Sequence, residues 1–458
     1  MTSQKKRQLF GTDGIRGIAG EFPLTIESTY WIGRALGHDL LKANPNPKVV
    51  IGQDTRESGA WITERVASGL ASCGVDVHNA GVITTPGVAY LARSRGYAAG
   101  IVISASHNPW TDNGIKVFSG DGYKLPDEHE LAIEHEIFSL LESGETVPPQ
   151  QTSHVPEEAS LRREYIVWLA KSVSQDLGRL RPPLVDCANG AAAAEGPELF
   201  RACGVQADFL SVSPDGRNIN ENCGALHPQV VAKAVAAAPG KYGLGITFDG
   251  DADRVLLSDA DGRIVNGDAI LLLLARDLDA RGQLPGSLVV ATTMSNMGLE
   301  VALRFSGIRL RRANVGDKYV LEEMKKTGAV LGGEQSGHII LRDGEATTGD
   351  GLLTALRVME VMARTKRSLA ELTCDLKVFP QTIKNIRVKE KVPFEQIPRI
   401  KDCIQAAERE LDGNGRVVVR YSGTEALARV MVEAESEDKM RSLTEKIAAA
   451  IEGTLGAN

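Results

Sequence analysis

Positions 100–116 read GIVISASHNPWTDNGIK. The apolar run Ile101-Val102-Ile103 opens into a small polar loop, Ser104–Pro109. Pro109 disfavours helical geometry in the residue before it, so the loop must turn. Ser106 is therefore carried at a strand end, with His107 beside it and Lys116 ten residues on. A serine hydroxyl is a weak nucleophile that becomes reactive beside a base, a cation or a metal. A plain polar turn joining a strand to a helix fits the same residues taken alone.

A second loop, Asp249–Arg254 (DGDADR), follows the apolar run Gly243–Phe248. Along an extended segment Asp249, Asp251 and Asp253 share one side. Three converging carboxylates repel one another unless a cation lies among them, and hard oxygen donors suit Mg²⁺. An EF-hand is excluded, because a loop begun at Asp249 needs Gly at its sixth position and Glu at its twelfth. The chain has Arg254 and Ala260 there. Two other readings stay open: a haloacid-dehalogenase-type phosphatase with Asp249 as nucleophile, and an exposed acidic turn like Asp259–Gly262.

Two further loops carry polar sets. Gly332–His338 (GGEQSGH) follows Ala329-Val330-Leu331, and alternation of Glu334, Ser336 and His338 lets a carboxylate, a hydroxyl and an imidazole face one ligand. That set suits sugar hydroxyls, which both donate and accept; a Gly-rich turn explains it as well. Arg420–Glu425 (RYSGTE), with Arg429 beyond it, lies between the strand-like runs Arg416–Val419 and Leu427–Val432. Small donors ringed by arginine forks make a phosphate cradle; an ordinary hairpin loop is the alternative.

FGTDGIRG (Phe10–Gly17), SASHNP, DGDADR, GEQSGH and RYSGTE stand here in one order and spacing. In this the chain resembles the α-D-phosphohexomutase superfamily over nearly its whole length, and most of all its bacterial glucosamine-phosphate branch. The resemblance implies a phosphoserine at Ser106. It implies Mg²⁺ on Asp249, Asp251 and Asp253 together with an oxygen of the Ser106 phosphate. Arg16, Arg254 and Lys116 would surround the transferring group, with Lys116 moving the proton and His107 adjacent. Glu334 and Ser336 would hold sugar hydroxyls, with His338 near the reacting oxygen. Arg420, Ser422, Gly423, Thr424 and Arg429 would hold the phosphate that is not reacting. The implied activity interconverts glucosamine 6-phosphate and glucosamine 1-phosphate through a hexosamine 1,6-bisphosphate, which also serves as activator, and feeds UDP-N-acetylglucosamine synthesis. A glucose- or mannose-phosphate mutase and a silent phosphosugar-binding protein are the alternatives. The implied partners are a small phosphosugar and further copies of the chain in a homodimer or larger homo-oligomer; a kinase, the protein itself and a bisphosphate are the alternative sources of the first phosphate on Ser106. Two positions depart from the family pattern: Ala426 stands where Pro is usual, and Lys318 where Arg is usual. The first removes a fixed φ, the second a planar fork.

The elements that must position these loops are α/β units. Val49–Ile51, Pro183–Val185 and Leu288–Val290 are strand-like, each followed by a polar loop and a helical stretch. The expected fold is three similar α/β domains plus a smaller C-terminal α+β domain around a central cleft. The expected bounds are 1–155 with the serine loop, 156–257 with the metal loop, 258–368 with the sugar loop and 369–458 with the phosphate loop. Val147–Ser160 reads as a linker and Lys366–Lys377 as a hinge. After about Leu369 the order is strand, helix, strand, strand, helix, closing on an amphipathic helix at Ser436–Gly453.

At 458 residues more than one core is expected. A net charge of −7 argues against a nucleic-acid or membrane-surface partner. Cys73, Cys187, Cys203, Cys223, Cys374 and Cys403 contain no C-x-x-C and read as buried thiols of a reducing cytoplasm. The start, MTSQKKRQLF, lacks the apolar core of a secretory signal.

Overall fold

Val- and Ile-rich runs become the central strands of three mixed sheets. The computed structural model describes residues 7–11, 13–147, 155–342, 346–422 and 426–456. Half of the expected linker, 148–154, lies outside them. The first sheet holds β1 (Phe10–Gly11), β2 (Gly14–Ile18), β3 (Lys48–Gln53), β4 (Asp76–Val82), β5 (Ala99–Ile103) and β6 (Asp112–Ser119), in the order β1-β2-β6-β5-β3-β4. The second holds β7 (Pro183–Asp186), β8 (Asp208–Leu210), β9 (Leu244–Phe248), β10 (Val255–Asp259) and β11 (Ile264–Val265), in the order β11-β10-β9-β7-β8. The third holds β12 (Leu288–Thr292), β13 (Arg309–Ala313), β14 (Leu331–Gly333) and β15 (Ile339–Leu341), in the order β13-β12-β14-β15.

β5 and β9 are buried at every position, as strands covered on both faces must be. In the first sheet one cover is built from the helices Ile26–Ala43, Gly59–Ala71 and Asp127–Glu142. Ile133, Ile137 and Leu140 of the last recur at helical spacing and pack with Ile101 and Ile103 in one core.

One connection recurs in all three sheets. A strand with a parallel neighbour runs through a short polar loop into an antiparallel partner: β5 into β6, β9 into β10, and β14 into β15. The serine, aspartate and Glu334–His338 loops are these three connections. The serine loop thus joins two strands, and the plain reading of a strand-to-helix turn does not hold. The boundary expected at 257 falls inside β10, whose pairing with β9 carries the second sheet on to Val265.

The chain forms two compact units, one of residues 1–293 with 311–373 and the other of 294–310 with 374–458. The change at 373/374 falls within the 366–377 segment. In the second unit β16 (Gln381–Arg387), β17 (Gly415–Tyr421) and β18 (Leu427–Ala434) form an antiparallel sheet in the order β16-β18-β17. The helices Pro398–Leu411 and Glu437–Leu455 share its core, so the expected strand–helix–strand–strand–helix order is present. Ser436 caps the last helix, its Oγ accepting from the Lys439 N–H, with Glu437 and Asp438 in the first turn.

Cys187 and Cys223 are buried, whereas Cys374 is exposed and Cys73, Cys203 and Cys403 are partly buried. Burial therefore does not describe all six. Among the described residues no helix is long and apolar enough to cross a membrane.

Candidate active site

Ser106 sits just beyond β5 with φ 53°, in the left-handed region, and is 1% exposed. Its Oγ donates to Asp249 Oδ2 at 2.6 Å and lies 3.4 Å from His107 Nδ1. The second loop comes this close because residue 250 is glycine. A Cβ there would stand 2.5 Å from the Ser106 carbonyl oxygen.

Asp249, Asp251 and Asp253 do converge, with ligand oxygens all within 4.8 Å of one another and every residue buried. Strand alternation is not the cause. The loop is a tight turn in which the Ala252 N–H donates to the Asp249 carbonyl at 3.1 Å and Ala252 takes φ 53°. A turn projects the three carboxylates inward, where an extended strand would leave them stacked along one face. Asp251 Oδ1 and Asp253 Oδ1 are buried without a hydrogen-bond partner. Such oxygens are costly unless a cation uses them, and a set of hard carboxylate donors fits a divalent metal ion.

Lys116 reaches this cluster from β6. Its ammonium is 2.7 Å from Asp251, 3.0 Å from Asp13 and 3.4 Å from Asp253. Burial works against its charge, but Asp13, Asp251 and Asp253 outweigh burial and hold the pKa well above the usual lysine value. Burial pushes Asp253 up; Lys116 and His338 more than reverse this and hold it well below the carboxylate range. Asp249, four residues earlier, goes the other way: burial, then Asp253 and Asp251, raise it well above. His107 is lowered by burial and by Arg254 and Arg16, so its ring is neutral near neutral pH. His338 is opposed by burial but raised to about 9 by Asp253, Asp317 and Glu334.

A cavity of about 560 Å³ is lined by Asp13, Arg16, His107, Asp253, Arg254, Glu334 and His338. Arg16 pairs with Asp13 and lies 3.4 Å from the Asn108 side-chain oxygen. The Arg254 N–H donates to Asp249 at 3.1 Å, and its Nε is 3.8 Å from Asp253. The Nε groups of both arginines are buried without a hydrogen-bond acceptor, a donor supply suited to an anion.

Glu334 and His338 reach the same cavity, but Glu334–Gly337 is a turn and not an extended stretch: the Gly337 N–H donates to the Glu334 carbonyl at 3.0 Å. Ser336 is therefore exposed, donating to Glu334 at 3.1 Å, while His338 is buried 3.6 Å from Asp253 and 3.7 Å from Asp317. Glu334 also accepts from the Gly316 N–H at 3.0 Å. Lys318 turns to the first turn of the helix Asp127–Glu142, where its ammonium pairs with Asp127 and meets the Leu125 carbonyl at 3.2 Å.

In the second unit, Arg420, one residue before the end of β17, is exposed and stands directly across from Arg429 of β18. Ser422 is buried, with its N–H on the Leu427 carbonyl at 2.8 Å. Gly423 and Thr424 lie outside the described residues. Ala426 accepts from the Val388 N–H at 3.0 Å.

Several site residues escape a motif-by-motif reading. Asp13 and Asp317 bridge the cations Lys116, Lys124 and His338; both stand inside conspicuous short motifs, FGTDGIRG and Gly316-Asp317. Thr85 donates to Asp251 from its hydroxyl and its backbone N–H, and nothing local to Thr85 signals this.

Known proteins share this chain's pattern. Residues 7–143 match the model described as phosphoglucomutase/phosphomannomutase, alpha/beta/alpha domain I. Residues 266–379 match domain III, and 383–450 the C-terminal domain. A phosphoglucosamine mutase from Koribacter versatilis is 59% identical over 98% of both chains, and one from Solibacter usitatus is 50% identical over 98% of this chain and 99% of that one. A crystal structure of a phosphoglucomutase/phosphomannomutase family protein from Burkholderia thailandensis superposes with a TM-score of 0.78 at 26% identity, covering 97% of each chain.

Proposed function

The chain belongs to the phosphoglucosamine mutase family, and from that premise we propose that it interconverts glucosamine 6-phosphate and glucosamine 1-phosphate through a phosphoserine at Ser106. The observation that carries the reading is Ser106 Oγ hydrogen-bonded to one of three buried, converging aspartates. A phosphatase using Asp249 as nucleophile fits less well, because Asp249 Oδ2 already accepts from the serine.

In the forward direction the Ser106 Oγ–P bond breaks as a bond forms from that phosphorus to the free sugar hydroxyl. The hydroxyl gives up its proton and the product is a hexosamine 1,6-bisphosphate. The sugar turns over, and Ser106 takes back the other phosphoryl group as that sugar O–P bond breaks. Asp249, Asp251 and Asp253, with an oxygen of the Ser106 phosphate, would hold Mg²⁺, which would supply charge neutralisation for phosphoryl transfer. Lys116, held as an ammonium, suits the donor half of the proton exchange. The neutral ring of His107, 3.4 Å from Ser106 Oγ, suits the acceptor half. Arg16 and Arg254 offer guanidinium donors to the moving group. Glu334 and Ser336 hold sugar hydroxyls, and His338 stands near the reacting oxygen. Arg420, Ser422, Gly423, Thr424 and Arg429 hold the second phosphate; two arginines in register repel, and an anion between them relieves that.

A four-module division with the second module carried on to Val265, a homodimer, a priming kinase and a cytoplasmic location belong to the same proposal. The test is a mutase assay with Mg²⁺ and a trace of hexose 1,6-bisphosphate, offering glucosamine, glucose and mannose 6-phosphates to the wild type and to Ser106→Ala. Fastest turnover of glucosamine 6-phosphate, reduced roughly 10³-fold or more in the variant, is the expected result. A preference for glucose or mannose phosphate would overturn the substrate, and activity surviving without Ser106 would overturn the phosphoserine.

A further inference from the structure

The loop after β3 faces the loop after β5, because parallel neighbours release their connections at the same sheet edge. From the first comes Arg56, whose side chain and that of its partner Asp54 are both 0% exposed. A guanidinium has five N–H donors, and here each has an acceptor. Nε donates to Asp54 Oδ2 at 2.9 Å. One terminal nitrogen donates to the carbonyls of Pro109 and, at 3.0 Å, of Asp112. The other donates to the carbonyls of Ser106 at 3.0 Å and Asn108 at 2.9 Å. Asp54 accepts from Ser104 Oγ at 2.6 Å, and Ser104 Oγ accepts from the Ser106 N–H at 2.9 Å. Asn220 adds a second donor to the Ser106 carbonyl at 2.9 Å.

Ser106 is thus gripped at both its N–H and its C=O while holding φ 53°, a conformation a non-glycine residue keeps only when its surroundings over-determine it. We propose that Arg56, braced by Asp54, is a positioning residue for phosphoryl transfer: it holds Ser106 Oγ in line with the incoming phosphorus without touching substrate. The inference rests on Ser106 being the phosphoryl carrier. In the step concerned, the Ser106 Oγ–P bond forms as a sugar O–P bond of the bisphosphate breaks, and the serine proton passes through the site's acid–base groups to the sugar oxygen. Lysine cannot replace the fork, since its three donors lie on one atom.

The experiment compares wild type, Arg56→Lys and Ser104→Ala in the full-length protein. Glucose 1,6-bisphosphate is the probe, phosphate on Ser106 is followed by mass spectrometry in single turnover, and kcat and KM are measured in the steady state. For Arg56→Lys, phosphate uptake and kcat should fall about a hundredfold while KM stays within about threefold. Ser104→Ala, which removes the tie to the Ser106 N–H together with the hydrogen bond to Asp54 but leaves the Arg56 fork, should show the same split at roughly tenfold, and it decides the matter if Arg56→Lys does not fold. Uptake at the wild-type rate in a folded variant overturns the positioning role and leaves Ser106 as carrier. Losses confined to thermal stability, with kcat and KM unmoved, also overturn it. No phosphate on Ser106 in the wild type removes the premise itself.

Discussion

The proposed reacting side of the site and its proposed recognition side are built differently. Ser106, Lys116 and Asp249, Asp251 and Asp253 are at most 5% exposed, and the serine and Asp251 are each tied by groups from other elements. Across the cavity Glu334 is half-buried and Ser336 exposed, joined to each other and to one backbone N–H. Phosphoryl transfer needs in-line geometry, and burial with redundant hydrogen bonds supplies it. In the proposed reaction the sugar binds in two orientations and needs hydroxyl partners that tolerate small displacements, which a short exposed turn would supply.

The contrast can be broken most forcefully at Asp251. Asp251→Asn weakens the hold on Lys116 and removes one of the carboxylates proposed to hold Mg²⁺, and kcat should fall about 10²-fold or more, with weaker Mg²⁺ binding by calorimetry. A variant that keeps wild-type kcat and Mg²⁺ affinity would erase the distinction between the two sides.

On the recognition side, Glu334→Gln keeps an acceptor for the Gly316 N–H but loses the charge. KM for glucosamine 6-phosphate should rise about tenfold, about 1.4 kcal/mol, with kcat within about threefold. A drop confined to kcat would place Glu334 with the reacting groups.

A smaller effect concerns pH. Glu195 lies beneath the reacting side, accepting from the Thr84 N–H at 3.4 Å, with its second oxygen buried and unpartnered. Burial raises it to about 8. Between the ordinary glutamate value and about 8, the folded chain keeps a proton that the unfolded chain has lost. This group's stabilisation is therefore full below the ordinary value and disappears as pH rises through about 8. Glu195→Gln removes the titration, and the drop in Tm between about pH 6 and about pH 8.5 should shrink by about 2 °C. An unchanged drop would show that another group sets the alkaline loss.

Lys318→Arg should do least. Its ammonium is engaged with Asp127 and the Leu125 carbonyl, so kcat/KM should move less than about twofold, within the range of surface substitutions. A larger gain would mean that this position reaches the sugar.

The same two sides differ in how far they can be read from sequence. Ser106 and the three aspartates announce themselves because each motif follows an apolar run that has to be a buried strand. The order of elements in the second unit is legible for a similar reason, since the apolar runs that become β17 and β18 lie on either side of positions 422–426. Alternation misleads at both the Asp249–Arg254 and Glu334–His338 loops, because turns and not strands set their side-chain directions. Asp13 and Asp317 stand in plain view in short motifs, yet their role depends on Lys116, Lys124 and His338 arriving from elsewhere. Arg56 and Thr85 are legible only as members of polar loops at strand ends, because their acceptors lie far along the chain.

The distribution of ties on Ser106 has a consequence for how the chain is made. Arg56, Asp54, Ser104 and the four carbonyls that Arg56 gathers all lie between positions 54 and 112. Asp249 follows Ser106 by 143 positions. At about 5–20 residues per second of synthesis, that interval is roughly 7–30 s. During it the N-terminal segment already contains nearly everything that shapes the serine loop, while the carboxylates that make its hydroxyl useful do not yet exist. The nascent chain can thus complete the mould before the reactive centre is assembled against it.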